Sequence, residues 1–457
     1  MNFEKVHEKL IKIVGEENVS VDVMDLICYS RDASEIVGLP QFVVWPLTAE
    51  QVSEIVKLAN EEKIPVVPRT AGTSLSGGPV PVNGGIVVDL SKMNTIIEID
   101  ERNFTALVEP GVVVAELNEQ LERRGLFFPP TPASDIAAAI GGSIAVNAGG
   151  IRAVKYGVIG DWVLGLEVVL PTGDIIWTRK TKARKCVSGY DLTKLMVGSE
   201  GTLGIITKAL LAVHPLPEAR LSALAYFKTV EEVVECVYEA IRRNVDPSAA
   251  ELMDRYTLIA VSKYTGLSFP GEAGAAVLFE VDGMRESVER RLIMLESIFK
   301  KLGAIDYQIA KTPEENAFIW KSRKAALAAI ASLRPSFITC DATVPIEKLS
   351  SLLNGIEKIA RRYDLLIPCF GHAGDGNIHP MILFDEREKS EVKKAYKAVE
   401  DIVRVTLELG GTITGEHGVG ASKIKFIEAE HGVTLEVMKR IKKTLDPNNI
   451  MNPGKVF

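Results

Sequence analysis

Closely spaced cysteines are the first thing missing from this sequence. Its five cysteines, Cys28, Cys186, Cys236, Cys340 and Cys369, are scattered and form no Cys-x-x-Cys pair. That excludes an iron–sulfur cluster held by this chain alone, and the odd, dispersed set fits thiols in a reducing, cytoplasmic compartment better than a disulfide framework. Basic runs are absent too: the net charge is −7, with no electrostatic footprint for nucleic acid. No apolar run reaches the roughly 20 residues of a transmembrane segment, and the nearest window, Ile136 to Ile151, carries Asn147 and five glycines and serines. Met1 to Gly15 opens with Glu4, Lys5, Glu8 and Lys9 rather than a basic segment followed by an apolar one, so no export signal is expected there. Any placement at a membrane would run through a partner. Two cofactor signatures are also missing, a P-loop ending in Gly-Lys-Ser/Thr and a strand–GxGxxG–helix unit for a nicotinamide dinucleotide.

What is present is a globular composition, 47% hydrophobic and 25% charged over 457 residues, which is more chain than one core usually fills. At least two domains are expected. Phe3, Val6, Leu10 and Ile13 predict a helix over 2–14, and Thr48 with Gln51 forms a capping box for a second helix whose buried face is Val52, Ile55, Val56 and Ala59. Strands are expected at 64–68, 85–90, 95–99 and 105–108, a helix at 113–124, and a hairpin from 164–170 and 175–178. The pattern changes at Pro215-Leu216-Pro217, the expected boundary. Beyond it, helices at 229–243, 285–302 and 348–363 interleave with strands such as 275–281 and 304–310, which suits an antiparallel sheet with helices on one side. The fold class is therefore α+β.

Glycine-rich stretches carry the polar chemistry. Arg69-Thr70-Ala71-Gly72-Thr73-Ser74-Leu75-Ser76-Gly77-Gly78 follows a strand and exposes backbone N–H groups in a form suited to phosphate oxygens. Ser134-Asp135 and then Ile140 to Gly150 pack Gly, Ala and Ser densely enough that the backbone must lie against a flat group or another backbone. Read alone, each is also an ordinary turn or close helix packing. Phe370-Gly371-His372-Ala373-Gly374-Asp375-Gly376-Asn377-Ile378-His379 aims two imidazoles, and Gly415-Glu416-His417-Gly418 adds a carboxylate and a third imidazole from a separate segment. Two histidines and a carboxylate make a three-ligand metal site with open positions, the arrangement of a catalytic metal. The donor set leaves Zn, Mn and Fe open.

In this order, together with Gly189-Tyr190-Asp191-Leu192, Val197 to Thr207, Trp320-Lys321-Ser322-Arg323 and the terminal Leu445 to Lys455, these motifs resemble the vanillyl-alcohol oxidase / p-cresol methylhydroxylase (PCMH) flavoproteins. The downstream motifs narrow the resemblance to the glycolate oxidase D-subunit and D-lactate dehydrogenase-like branch. It implies a PCMH-type FAD-binding domain of two α/β subdomains over 1–216 and a cap or substrate domain over 217–457, with a final segment from about 412 that folds back on the first. It implies that the amides of Thr70, Ala71, Gly72, Thr73 and Ser74, between Arg69 and Gly77, hold the FAD pyrophosphate. Ser134, Gly141, Gly142, Asn147 and Gly149 would run beside the flavin, and Glu200, Gly201 and Ile206 would face the adenine end. His7 and His214 stand in no attachment motif of the family, so FAD is expected to be noncovalent. The metal ligands carried over are His372, His379 and Glu416.

The same resemblance assigns Arg323 to the substrate carboxylate, which guanidinium geometry fits in bidentate fashion, and leaves His417 as the base, with Asn377 as a hydrogen-bond partner of the substrate. The expected reaction is oxidation of a D-2-hydroxy acid, D-lactate or glycolate, with electrons passing to a separate acceptor: an iron–sulfur subunit, a quinone or an electron-transfer flavoprotein. A homodimer is left open. Two other readings compete, a metal-dependent hydrolase with a nucleotide-binding first half, and a flavin-dependent ether-lipid synthase of the same fold. The purified protein is expected to be yellow and to release its flavin on acid precipitation; a colourless preparation unable to bind FAD would refute the flavin assignment.

Overall fold

A computed structural model of the protein describes residues 3–457; Asn2, predicted to begin the first helix, lies outside them. The chain divides into two compact units. The first comprises 1–150, 158–216 and 416–457, and the second 151–157 and 217–415.

In the first unit, Phe42–Val44, Ile86–Asp89 and Val66–Arg69 form a parallel core with Val19–Ser20 antiparallel at one edge. Helix Phe3–Val14 sends Val6, Leu10 and Val14 into the core that also holds Val52, Ile55 and Val56 of helix Ala49–Glu62. Thr48 caps that second helix by accepting from the Gln51 amide, but the reciprocal arm differs from a capping box. Gln51 reaches past Thr48 to accept from the Leu47 amide, and its Nε2 donates to the Ile13 carbonyl. One side chain thus joins the two helices. A second, antiparallel sheet runs in the order Ile96–Asp100, Thr105–Val108, Ile205–Ala212, Val163–Val169, Ile175–Trp177. These are two α/β layers, each with its own core.

The last segment closes this unit. Met451 bridges Val66 in parallel. The Lys442 ammonium donates to Asp446 at 2.5 Å, to the Thr202 carbonyl at 2.8 Å and to the Met451 carbonyl at 2.7 Å. Asn452 Nδ2 donates to the carbonyls of Gly78 and Glu200, and Lys455 Nζ to that of Val80. Burial holds Lys455 down at about 8, with Glu200 and Asp32 opposing.

The second unit is an antiparallel sheet in the order Asp306–Ile309, Ala219–Phe227, Ala275–Gly283, Ala249–Asp254, Cys369–His372, Asn377–Phe384, Ser336–Thr339, with Ala342–Thr343 also paired to Asn377–Phe384. One face is covered by helices Val230–Arg242, Arg285–Lys301, Leu349–Tyr363 and Lys389–Glu408. The other face is covered as well, by Arg255–Thr265 and Pro313–Ala331, where the sequence predicts helices on one side. The reason is visible in the strands, whose alternate residues are apolar at both parities: Ala223, Ala225 and Phe227 face one core, Leu224 and Tyr226 the other. Residues 151–157 join this unit through a polar clasp. Arg152 Nε and Lys155 Nζ donate to Glu280 and Asp282 at 2.9 and 2.7 Å, and the Tyr156 hydroxyl to Asp282 at 2.8 Å.

Asp446 is buried and accepts from Lys442 and from the Ile450 and Met451 amides, so its removal strands a buried ammonium. Asp446→Ala should cost about 3–5 kcal/mol, seen as a lower thermal midpoint, and Lys442→Met in the same chain should recover part of it. An unchanged midpoint for the single variant would remove the tail from the stability of this unit.

Candidate active site

A β-ladder fixes which side chains share a face, because directly paired residues of antiparallel strands point the same way. Glu251 pairs with His372, His372 with Asn377, and Asn377 with Thr343. These four side chains therefore form one row across four strands. The next row is Met253, Phe370 and His379. Both rows lie on the face covered by Pro313–Ala331, the helix that carries Arg323. Gly376 makes the turn between the two histidine strands at φ 81°, and a side chain there would collide with the Val344 carbonyl.

The row is buried and polar. His372, His379 and Asn377 are each 4% exposed and Glu251 is fully buried. The two imidazoles are near perpendicular, with ring centres 5.3 Å apart. Glu251 Oε1 meets His372 Nδ1 at 2.6 Å, while Oε2 accepts from Arg323 Nε at 2.6 Å. Complete burial opposes ionisation of Glu251, but its electrostatic and hydrogen-bond interactions with His372 and Arg323 outweigh it and hold the carboxyl below its ordinary value. Arg323 lies over the Phe370 ring at 4.7 Å, and its terminal nitrogens have no protein partner among the described residues. Asn377 Nδ2 is used twice, donating to Asp341 Oδ1 and Thr343 Oγ1 at 2.8 Å each. Its buried Oδ1 has no partner, so the free atom can only accept. Asp341 Oδ1 stands 3.7 Å from His379 Nδ1.

In the first unit, no amide from Thr70 to Ser74 donates to a protein acceptor among the described residues, which fits the loop to a phosphate group. Arg69 donates to the Arg31 carbonyl, stacks on Tyr29 and lies against Gly72, where a Cβ would collide with its guanidinium. A Cβ on Gly142 would stand 2.8 Å from Thr70 Oγ1 and one on Gly149 2.9 Å from Glu416 Oε2, so both glycines sit where other segments come close. Gly141 is packed on Pro110, and Asn147, at φ 56°, caps its helix and accepts from the Gly160 amide. Ser134 heads a turn, its carbonyl accepting from Ala137 and Ala138. Gly77 donates to Asp32, Gly201 lies against Pro68, and the Ile206 side chain is buried in the second core of this unit. Glu200 ties segments together, since its buried carboxylate accepts from the Val419 and Gly420 amides at 2.7 and 2.8 Å. Burial nevertheless pushes its pKa up. That contact, with Ser76 Oγ donating to the His417 carbonyl at 2.9 Å, joins the Glu416-His417 segment to the phosphate-type loop. Glu416 and His417 are neighbours, Oε1 to Nε2 at 3.8 Å.

Arg323, Asn377, His372 and His379 thus stand together in the second unit, and the cofactor-loop residues share the first with Glu416 and His417. Glu251 was not predicted: it sits in the strand Ala249–Asp254, where nothing in the sequence separates it from any other strand glutamate, and only the pairing with His372 reveals it.

Family models agree with this architecture. Residues 40–179 match the FAD binding domain and 216–456 the C-terminal domain of FAD linked oxidases, and the chain belongs to this family of FAD-linked oxidoreductases. Among characterised sequences it is 42% identical over 454 residues to the glycolate oxidase subunit GlcD of Bacillus subtilis, covering 99% of this chain and 96% of that one. It is 36% identical to a mitochondrial D-lactate dehydrogenase [cytochrome] of Arabidopsis thaliana, covering 100% of this chain and 81% of the relative. Its fold is that of p-cresol methylhydroxylase, at a TM-score of 0.82 with 22% identity over 99% of this chain and 96% of the other.

Asp254 anchors the strand that carries His372, accepting from the Cys369 amide at 2.9 Å and from the Thr257 amide at 2.7 Å. Burial is the largest influence and pushes its pKa from 3.8 up to about 6. A carboxyl raised on folding gives stability that is whole below its unfolded value and is lost as pH rises through its folded one. Relative to Asp254→Asn, the parent should therefore be favoured more at pH 4.5 than at pH 7.5, by on the order of 2 kcal/mol. Denaturation midpoints of both proteins at the two pH values check this, and an equal gap at both would refute it.

Proposed function

We propose that the chain oxidises a D-2-hydroxy acid, with D-lactate and glycolate the leading candidates, to the corresponding 2-oxo acid. The observation that carries this reading is the Arg323 guanidinium, fixed at Nε with its terminal nitrogens unspent, on the same sheet face as His372, His379 and the unsatisfied acceptor of Asn377. A cationic fork beside two imidazoles suits a small acid that also bears a hydroxyl. The names of the two relatives point to the same substrate class.

Bound FAD would supply the two-electron acceptor for oxidation at the substrate Cα. A divalent cation, of Zn, Mn or Fe type, would supply Lewis-acid polarisation of the hydroxyl. The protein's part is position and proton transfer. Arg323 pairs with the carboxylate and sets which face of Cα is presented. His372 and His379, and Glu416 as the family resemblance assigns it, would provide donors for the cation. His417 takes the hydroxyl proton, a role suited to an imidazole near neutral pH. Asn377 Oδ1 can accept from a hydroxyl or a water but cannot bind a carboxylate. Electrons then leave for a separate acceptor, an iron–sulfur subunit, quinone or electron-transfer flavoprotein. The words "subunit" and "cytochrome" in the relatives' names are in keeping with that.

Anaerobic addition of D-lactate or glycolate should bleach the flavin, whereas His417→Asn should bind FAD normally and bleach at least about 100-fold more slowly. A panel of D- and L-hydroxy acids that all leave the flavin oxidised would defeat the dehydrogenase reading and favour a flavin enzyme without net oxidation. Near-parental bleaching by His417→Asn would remove that residue from the proton step.

A further inference from the structure

Glu251 belongs to none of the motifs that mark the site, yet each of its oxygens holds a different functional group. Oε1 is 2.6 Å from His372 Nδ1 and Oε2 accepts from Arg323 Nε at 2.6 Å. We propose that Glu251 is the positioning residue that sets the ligand tautomer of His372 and the aim of Arg323 together, so that the cation and the substrate carboxylate are held in one fixed relation. This rests on the functional reading above.

The chemistry runs from the carboxylate outward. An ionised carboxylate only accepts, so the His372 nitrogen facing it must carry the proton, and the lone pair is left on Nε2 as the donor a cation needs. A guanidinium engaged at Nε keeps its two terminal nitrogens as a fork for a second carboxylate. Strand pairing leaves little room for either to re-aim. Glu251 and His372 are direct partners in the ladder, and Arg323 is held from below by the Phe370 ring, whose own ladder partner is His379. A buried ion pair kept solely for stability can be exchanged as a whole for apolar packing at little cost, whereas removing one member strands its partners. Here removing Glu251 would release two groups that the reaction needs, and it would do so from a single position.

The test uses the whole flavin-loaded protein with Glu251→Gln, which keeps shape but can accept at only one oxygen. After removal of divalent ions, titration with Mn or Zn should show affinity about 10- to 100-fold weaker than the parent. The KM for the hydroxy acid that the parent oxidises should rise roughly tenfold and stay raised at saturating metal, because Arg323 is freed as well. A residue with a purely structural role would not give that persistence. In an Arg323→Lys background the same substitution should change KM less than about twofold, while still weakening the metal. FAD content, a property of the other unit, should be unchanged. Should Glu251→Gln fail to fold, Glu251→Asp keeps the charge but shortens the reach, and its metal affinity should be about tenfold weaker than the parent's. Parental metal affinity and KM in whichever variant folds would overturn the inference alone. A parent chain that binds no divalent cation would overturn the functional reading and the inference with it.

Discussion

Side chains on a strand have only two directions to point, and the site depends on that restriction. Once Ala249–Asp254, Cys369–His372 and Asn377–Phe384 are paired in their register, Glu251, His372 and Asn377 are delivered to one face without any further specification. A slip by one residue would send all of them into the opposite core, where Ala250, Leu252 and Ile378 now lie. The apolar partners on that side hold the register, so hydrophobic packing on one face of the sheet secures polar geometry on the other. Helix Pro313–Ala331 then covers the polar rows and brings Arg323 to them. Its Trp320 donates to Ser222 on a neighbouring strand at 2.9 Å, which fixes where along the sheet it sits.

The first unit solves a different problem, which is to hold a loop whose amides from Thr70 to Ser74 have no protein acceptor among the described residues. Hydrogen bonds within the loop are few, such as the Ser76 amide donating to Ser74 Oγ. The loop is held from outside: Asp32 takes the Gly77 amide, Asn452 and Lys455 take the carbonyls of Gly78 and Val80, and the Ser76 carbonyl accepts from Ala421 and Ser422. Three distant stretches of sequence converge on about ten residues. The strand before the loop and the tail behind it are hydrogen-bonded to each other as well, Val66 donating to Ile450 and Asn452 to Val66.

Much of this was legible in the sequence because its signals are local. Helical spacing predicts Phe3–Val14, Val230–Arg242 and Arg285–Lys301 closely, and the change at Pro215-Leu216-Pro217 falls where the chain passes between the two units, at Leu216 and Pro217. Glycine density points to the loops because only a close approach explains it. Glu251 was hidden because its significance is a matter of strand pairing between residues more than a hundred positions apart. Glu200 carries a contact that no motif announces, two amides beyond residue 418. Helix Pro313–Ala331 is not predicted by residue spacing, and only its Trp-Lys-Ser-Arg motif stands out in the sequence. It has little amphipathic contrast: Arg323 and Ser322 are buried, whereas Phe318 and Leu327 remain exposed.

The first unit is interrupted in sequence, and that has a consequence for how the protein is made. Residues 1–216 emerge from the ribosome without Met451, Asn452 and Lys455, so the glycine-rich loop has Asp32 but lacks its other outside supports until the whole second unit has been translated. Residues 217–415 are contiguous apart from the short clasp at 151–157, which precedes them, and can reach their own sheet first. The redox half is therefore completed last, by a contact spanning nearly four hundred residues, and contacts that distant are the slow ones. Until then the FAD-binding domain is an unfinished fold.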